Sequence, residues 1–486
     1  MRINRVIEEI PGATRVLVTK ENSLLDQAGD SSLGTEIENA FPKASNDLAV
    51  NIGPTLARFT EWLNAYGETS WDHQSFFAGP VGGWAKSLYY RRRHVGTAAV
   101  APMIFFEALL PSARRLFHHR IRFPIADAHY AMGFAFLYQT TGDSIYLQRA
   151  NHFLNELKSS RCSEFTEYSW GYPFDWVWRG GVIMRQTPLI TSTPYAWEAF
   201  LQVFDILQEE GKGPKTRNGC EATAELSKEG VERQALTNDY KQILQSIARH
   251  AVNDIKDFKT SETASSCSYT PFSEGGVINA AAYRAFLLTS ASQVLENEEY
   301  WTVAERNLNF VLENQNPDGS WYYAMDGVRD FVDHFHTCFV MKALAKIHTL
   351  TGHDGCGKAL EKGVEYYLAN LFDEEGLPKP FSKAPRLTVY KRELYDCAEC
   401  INLCLLLRDR FPILEVTLNR VVGSILKDWV KPDGSFRSRR LHLGWDNVPM
   451  HRWGQAQMFR SLAFYLRETA EHRRGQRSEV RDQKGS

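Results

Sequence analysis

Apolar residues fall into two kinds of helical segment that alternate along the chain. One kind is apolar nearly all the way round: GGVINAAAYRAFLL from Gly275, HFHTCFVMKALAKI from His334, ELYDCAECINLCLLL from Glu393 and HRWGQAQMFRSLAFYL from His451. The other carries a single stripe, as in EYWTVAERNLNFVLENQ, where Trp301, Ala304, Leu308 and Val311 recur at helical spacing. KALEKGVEYYLANLF and ILEVTLNRVVGSILKDW behave alike. A helix apolar on every side must be enclosed by neighbours, whereas a striped helix lies outside with one face in water.

The enclosed helices begin near 277, 334, 393 and 451, in steps of 57, 59 and 58 residues. Two earlier segments fit the series more loosely, ADAHYAMGFAFLY near 127 and PYAWEAFLQVFDIL near 194, with YLQRANHFLNELK and YKQILQSIARHAVNDI as their outer partners. A recurring period of this kind marks a repeated supersecondary unit. Six such hairpins predict an all-α fold, a closed (α/α)6 barrel over residues 49–469, preceded by an N-terminal extension, 1–48. A polar insert at about 210–234 interrupts the series, and 470–486 reads as a disordered tail. The sixth outer position has no partner after it. NIGPTLARFTEWLNAY or APMIFFEALLPSARRLF, from the N-terminal region, is expected to fill it.

Loop lengths place the function. Inner-to-outer connections are short (TTGDS, TLTGHDG, RDRFP), while outer-to-inner connections are long and all open at one end of the barrel. Several of these carry a Gly turn followed by an aromatic residue: NPDGSWYY, DEEGLPKPF and KPDGSFRS. They predict small β-hairpins at that rim, with Asp318, Gly319, Trp321, Asp433 and Gly434 in structural roles.

The residues where each long loop enters its inner helix suit a saccharide. Aromatic rings offer flat faces to sugar C–H groups, and carboxylates, amides and Arg satisfy hydroxyls. The expected binding set is His129, Trp170, Tyr172, Trp176, Tyr269, Tyr323, Arg329, Trp445, Arg452, Trp453 and Gln455. The expected catalytic set is Asp175, Asp333, His336, Tyr395 and Asp396. The leading expectation is hydrolysis of a glycosidic bond in polysaccharide metabolism or biosynthesis, which needs two carboxyl groups flanking the bond. Asp175, set among WGYPFDWVW, is expected to be desolvated into an acid, with Asp333 as partner. A uronate lyase or sugar epimerase would instead use a Tyr or His base such as Tyr395, His336 or Tyr172, with Arg452 or Arg329 stabilising an anion. A non-catalytic glycan-binding or assembly protein is a further alternative. Capping of helix N-termini is the structural role open to Asp127, Asp333 and Asp396.

Composition narrows the classes. The chain supplies 43% hydrophobic and 12% aromatic residues, enough for a large core, and its net charge of −2 shows no basic stripe for nucleic acid. No apolar run reaches membrane-spanning length, and the first residues lack a signal-peptide core, so a cytoplasmic location is expected. Eight cysteines in a chain this long do not make a disulfide scaffold, and Cys397, Cys400 and Cys404 on one apolar helix face are expected to be small buried residues. His334 and His336 lie about 200° apart around a helix and do not form a joint metal site. Neither metal nor cofactor is expected.

Three resemblances accompany these residues. Gln315 to Trp321 (QNPDGSW) resembles the glutamine–tryptophan motif of squalene-type terpene cyclases, and Asp333 to Phe339 (DHFHTCF) resembles the histidine segment of protein prenyltransferase β-subunits. Both families are α/α toroids. The chain has no Asp-x-Asp-Asp motif, and GGVINAAAYRAF lacks the prenyltransferase zinc ligands, so an isoprenoid activity is a distant alternative. The third resemblance spans residues 120 to 460. The order WGYPFDW, TPLITSTPYAWEAF, NPDGSWYYAMDG, FVDHFHTCFVMKAL is similar to bacterial proteins of capsule and exopolysaccharide gene clusters with a six-hairpin glycosidase-like fold. That resemblance implies a polysaccharide setting.

Overall fold

A computed structural model describes residues 42–211, 228–385 and 388–483. Most of the predicted N-terminal extension and polar insert, and Cys220, lie outside the described residues. Fourteen of its helices matter here: α1 (Pro42–Tyr66), α2 (Pro80–Arg91), α3 (Arg93–Leu109), α4 (Pro124–Thr141), α5 (Ser144–Ser159), α6 (Thr193–Gly211), α7 (Lys228–Asn253), α8 (Ile278–Val294), α9 (Glu298–Glu313), α10 (His334–Thr351), α11 (Asp354–Asn370), α12 (Leu394–Leu407), α13 (Ile413–Ser424) and α14 (Ala456–Gln483).

The two helix types occupy the two layers that their patterns predict. Consecutive enclosed helices α4, α6, α8, α10, α12 and α14 touch one another, and α14 returns to α4, closing the ring. Along α8 every residue from Ile278 to Ala291 is buried, whereas α9 buries only Ala304, Asn307, Leu308, Phe310 and Val311. The fold is an (α/α)6 toroid. Its sixth outer position is filled by α1, which contacts α14 and α13. The alternative segment, around Ala101–Phe117, instead belongs to a separate helical hairpin, α2–α3, built over Phe76, Ala85 and Met103. The barrel's last helix continues to Gln483, past the point where polar composition predicts loss of order.

The short connections close the chain tightly. Gly142 and Gly352 end α4 and α10 in the left-handed conformation (φ +73° and +68°), and the Asp143 side chain then caps α5 by accepting the Ile145 N–H at 3.0 Å.

At the other end, the Gly turns are joints. Asp318 accepts from Ser320 N and Oγ at 3.0 and 2.7 Å, and Asp433 repeats this with Ser435 at 3.0 and 2.7 Å. Gly319 and Gly434 have φ of +92° and +89°, and a Cβ there would meet Lys362 O at 2.2 Å and Arg58 O at 2.5 Å. Each turn therefore lies directly against the next outer helix, α11 in one case and α1 in the other. That identical docking is how α1, distant in sequence, takes the place of a sixth outer partner. The last two turns are closed by single β-bridges, Phe372 to Pro378 and Val430 to Phe436, rather than by the predicted hairpins.

The rim's paired strands lie nearby. β1 (Trp176–Trp178) pairs with β2 (Gly181–Ile183) and β3 (Asp257–Lys259) with β4 (Ser265–Cys267), both as hairpins. β5 (Val332–Asp333) pairs with β6 (Phe381–Lys383), and β7 (Tyr390–Glu393) joins β8 (Arg439–Leu441) and β9 (Trp445–Asp446). These last two sheets sew successive rim loops together. The cysteines of the described residues are all buried and unbridged.

Candidate active site

The antiparallel return of each outer helix brings the starts of the six enclosed helices to one end, and their side chains meet around a recess. Trp176 packs edge-on to Tyr172 with ring centres 5.5 Å apart. The Arg452 guanidinium bridges Tyr172, at 4.4 Å, and Trp453, at 4.7 Å. Trp453 meets Tyr395 at 4.6 Å, Tyr395 meets Phe335 at 5.1 Å, Phe335 meets His336 at 4.3 Å, and His336 meets Tyr323 at 4.7 Å. Arg329 lies over Tyr323 and Trp178, which returns the circuit to β1. Tyr269 joins it through Trp176. Tyr172, Trp176, Tyr269, Tyr323, Phe335, His336 and Trp453 are half-buried, as the walls of a recess should be.

Below the circuit the barrel is plugged. Phe339 touches Tyr283 at 5.1 Å, and the Tyr195 and Tyr283 hydroxyls share a hydrogen bond. Beneath them Lys342 pairs with Glu399 and Lys346 with Glu198, each pair linking different enclosed helices. Burial lowers Lys346 to about 8, against the pull of Glu198. His129 sits in this layer, fully buried against Tyr195 and 3.5 Å from Arg460.

Two acids and a histidine at this end are the candidates for chemistry. Asp333 ends β5 and caps α10: its Oδ1 accepts the His336 N–H at 3.0 Å, while its Oδ2 accepts from His336 Nδ1 at 2.6 Å. The carboxyl is buried and the imidazole 22% exposed, so the outer ring edge, Nε2, is the part open to the recess. A cap and an orienting carboxylate are thus one residue. Asp396, in the first turn of α12, is buried with neither oxygen partnered. Burial, with Glu393 and Asp333 nearby, pushes it well above the usual carboxylate range despite Arg439. His334 faces away, hydrogen-bonded to Leu371 O and the Tyr367 hydroxyl at 3.1 and 2.8 Å.

Several expected residues lie elsewhere. Asp175 is exposed and accepts the Arg185 N–H at 2.8 Å across the β1–β2 hairpin, so the desolvation argued for it is absent. Its aromatic neighbours in sequence alternate away from it. Trp170 is core, its indole N–H donating to Leu157 O at 2.8 Å. Gln455 clamps the Phe436 backbone through both ends of its amide, at 2.9 and 2.7 Å, and is fully buried, out of a ligand's reach. Trp445 packs on Trp429 and under Arg437 and Arg440, supporting the β8–β9 turn.

Two residues were missed. Asp72 receives Arg452 Nε at 2.6 Å, fixing the guanidinium between its aromatic neighbours, and His73 lies 5.2 Å from Trp453. Burial and the Arg439, Arg452 and Arg114 charges hold His73 well below the usual histidine range, hence neutral. Their segment precedes the barrel repeat, and only ring closure brings it beside residue 452. Among the described residues no cluster of three or more His, Cys, Asp or Glu is disposed to hold a metal ion. A separate open groove of about 600 Å³ lies on the rim's flank, lined by residues including Phe372, Asp373, Phe381 and Tyr390. Its Arg392 is spent on Asp373 and Glu375.

No family model matches the sequence, and no curated protein matches it. Solved structures do. A cellobiose 2-epimerase from Bacillus thermoamylovorans aligns over 72% of this chain and 88% of its own, with a TM-score of 0.50 and 9% identity. It shares the toroid fold. A sugar epimerase from a ruminal bacterium aligns over 72% and 88% (TM-score 0.48, 13% identity). An α-1,6-mannanase from Salegentibacter aligns over 72% and 90% (TM-score 0.48, 11% identity). At 9% identity the likeness to the cellobiose 2-epimerase concerns the fold alone.

Proposed function

We propose that this protein is a carbohydrate-active enzyme in which His336, oriented by Asp333, moves a proton at a sugar carbon, as in an epimerase, isomerase or lyase. The observation that carries the reading is the buried Asp333 holding Nδ1 of an imidazole whose other edge opens into an aromatic recess. Trp453, Tyr172 and Trp176 would bind sugar faces, and Arg452 and neutral His73 would face the developing charge. The resemblance to capsule-cluster proteins supports a saccharide or polysaccharide intermediate as substrate.

One observation favours a second reading, glycosidic hydrolysis. The unpartnered Asp396, pushed above the usual carboxylate range, has the character of a general acid and lies close enough to Asp333 to feel its charge. Incubation with oligosaccharides and uronate polymers in D2O, followed by mass spectrometry, separates the two. Proton transfer leaves deuterium at carbon, or an ultraviolet-absorbing double bond, and His336→Gln abolishes it. New reducing ends without carbon-bound deuterium support hydrolysis. Glycans that bind but return unchanged overturn both.

A further inference from the structure

The α2–α3 hairpin carries an apolar face that the barrel does not use. Along α3, Val95, Ala98, Pro102, Phe105 and Leu109 recur at helical spacing and all are exposed, Phe105 by 56% and Leu109 by 45%. The opposite stripe, with Gly96, Met103 and Glu107, is the buried one. A helix apolar on both faces is ordinarily enclosed. Trp84 on α2 and Leu116 beyond α3 extend the exposed surface, at 63% and 80%.

The charge around it has one sign. Between residues 80 and 119 stand Lys86, Arg91, Arg92, Arg93, Arg114 and Arg115, against a single acid, Glu107. Glu107 is buried and accepts from Arg439 at 2.7 Å, while Arg114 is tied to Asp446 at 2.7 Å. The outward surface is therefore apolar and basic: Trp84, Phe105 and Leu109, with exposed Arg91, Arg92, Arg93 and Arg115.

We infer that this hairpin docks the protein on an anionic lipid bilayer, its aromatic and aliphatic side chains entering the headgroup boundary and its arginines meeting lipid phosphates. That combination on one exposed hairpin is the chemistry of interfacial membrane binding. A second copy fits less well, since a symmetric contact would bring the same patch against itself, and its only acid between residues 80 and 119, Glu107, is buried on Arg439. The hairpin is fastened to the recess's own rim, through Arg439 and Asp446 and through contact of α2 with β1, so docking would hold the mouth at the bilayer surface. The inference is independent of which reaction the recess performs.

Sedimentation of the full chain with vesicles tests it, using phosphatidylcholine alone and phosphatidylcholine with about one third phosphatidylglycerol. The protein should sediment with the anionic vesicles and be released by salt. The triple variant Arg91→Glu, Arg92→Glu, Arg93→Glu should weaken partitioning by about 100-fold or more, at roughly fivefold per charge. Phe105→Ser with Leu109→Ser should weaken it more than about tenfold. All five positions are exposed, so unfolding midpoints should stay at the wild-type value. Absence of sedimentation with anionic vesicles overturns the inference, as does equal binding by both variants. A concentration-dependent dimer abolished by Phe105→Ser with Leu109→Ser, without vesicle binding, overturns it in favour of self-association.

Discussion

Acidification should unfold this protein through a histidine that is not catalytic. His451 starts the sixth enclosed segment and is completely buried. Its Nε2 donates to Gly67 O at 3.0 Å, and its Nδ1 accepts from the Tyr130 hydroxyl at 2.5 Å, so the neutral ring satisfies both nitrogens. Burial is the dominant cause that drives its pKa down from 6.5 to about 3. The unfolded chain therefore binds a proton that the native state refuses. The contribution is complete above pH 6.5 and is lost as pH falls towards 3. At pH 4.5, two units below the unfolded value, the loss is about 2.7 kcal/mol at 1.36 kcal/mol per unit. Urea unfolding at pH 7.5 and 4.5 measures it. His451→Gln should be less stable than wild type at pH 7.5, yet its difference between the two pH values should be smaller by about 2.7 kcal/mol. An unchanged difference in the variant would refute the argument.

Other predictions follow from single contacts. Asp333→Asn keeps a good helix cap but turns an amide N–H towards His336 Nδ1, selecting the wrong tautomer; turnover should fall about 10²–10⁴-fold while stability changes by under about 1 kcal/mol. Steady-state rates and urea midpoints check both halves. Gly319→Ala, with φ +92° and Lys362 O at 2.2 Å from the new Cβ, should cost at least about 3 kcal/mol, whereas Gly142→Ala, left-handed but in open space, should cost only about 1 kcal/mol. Arg284 is buried and donates to Ala251 O at 2.7 Å and Ile255 O at 3.0 Å while pairing with Asp257. Arg284→Met leaves those groups stranded and should cost about 3–5 kcal/mol in urea unfolding.

Much of the fold was legible because burial on all sides writes itself into sequence. The 57–59-residue recurrence of all-apolar helices identified the enclosed ring, and loop length singled out the end where the candidate residues gather. Individual side chains at that end were harder to read. Trp176 and Asp175 are neighbours in sequence, but strand alternation in β1–β2 sends one to the recess and the other to solvent. Trp170 and Gln455 carry the right chemistry for a sugar, yet each spends it on backbone several residues away. Asp72 and His73 had no local signal at all: the partners that define them, Arg452 and Trp453, lie some 380 positions along the chain.

The most direct measurement is a crystal structure of His336→Gln soaked with a glycan that the wild-type protein converts. A sugar ring should be held against Trp453 and Tyr172, its reacting carbon about 3–3.5 Å from the side chain at position 336. A sugar seated instead in the flank groove beside Asp373, Tyr390 and Arg392, with the recess holding only solvent, would contradict it.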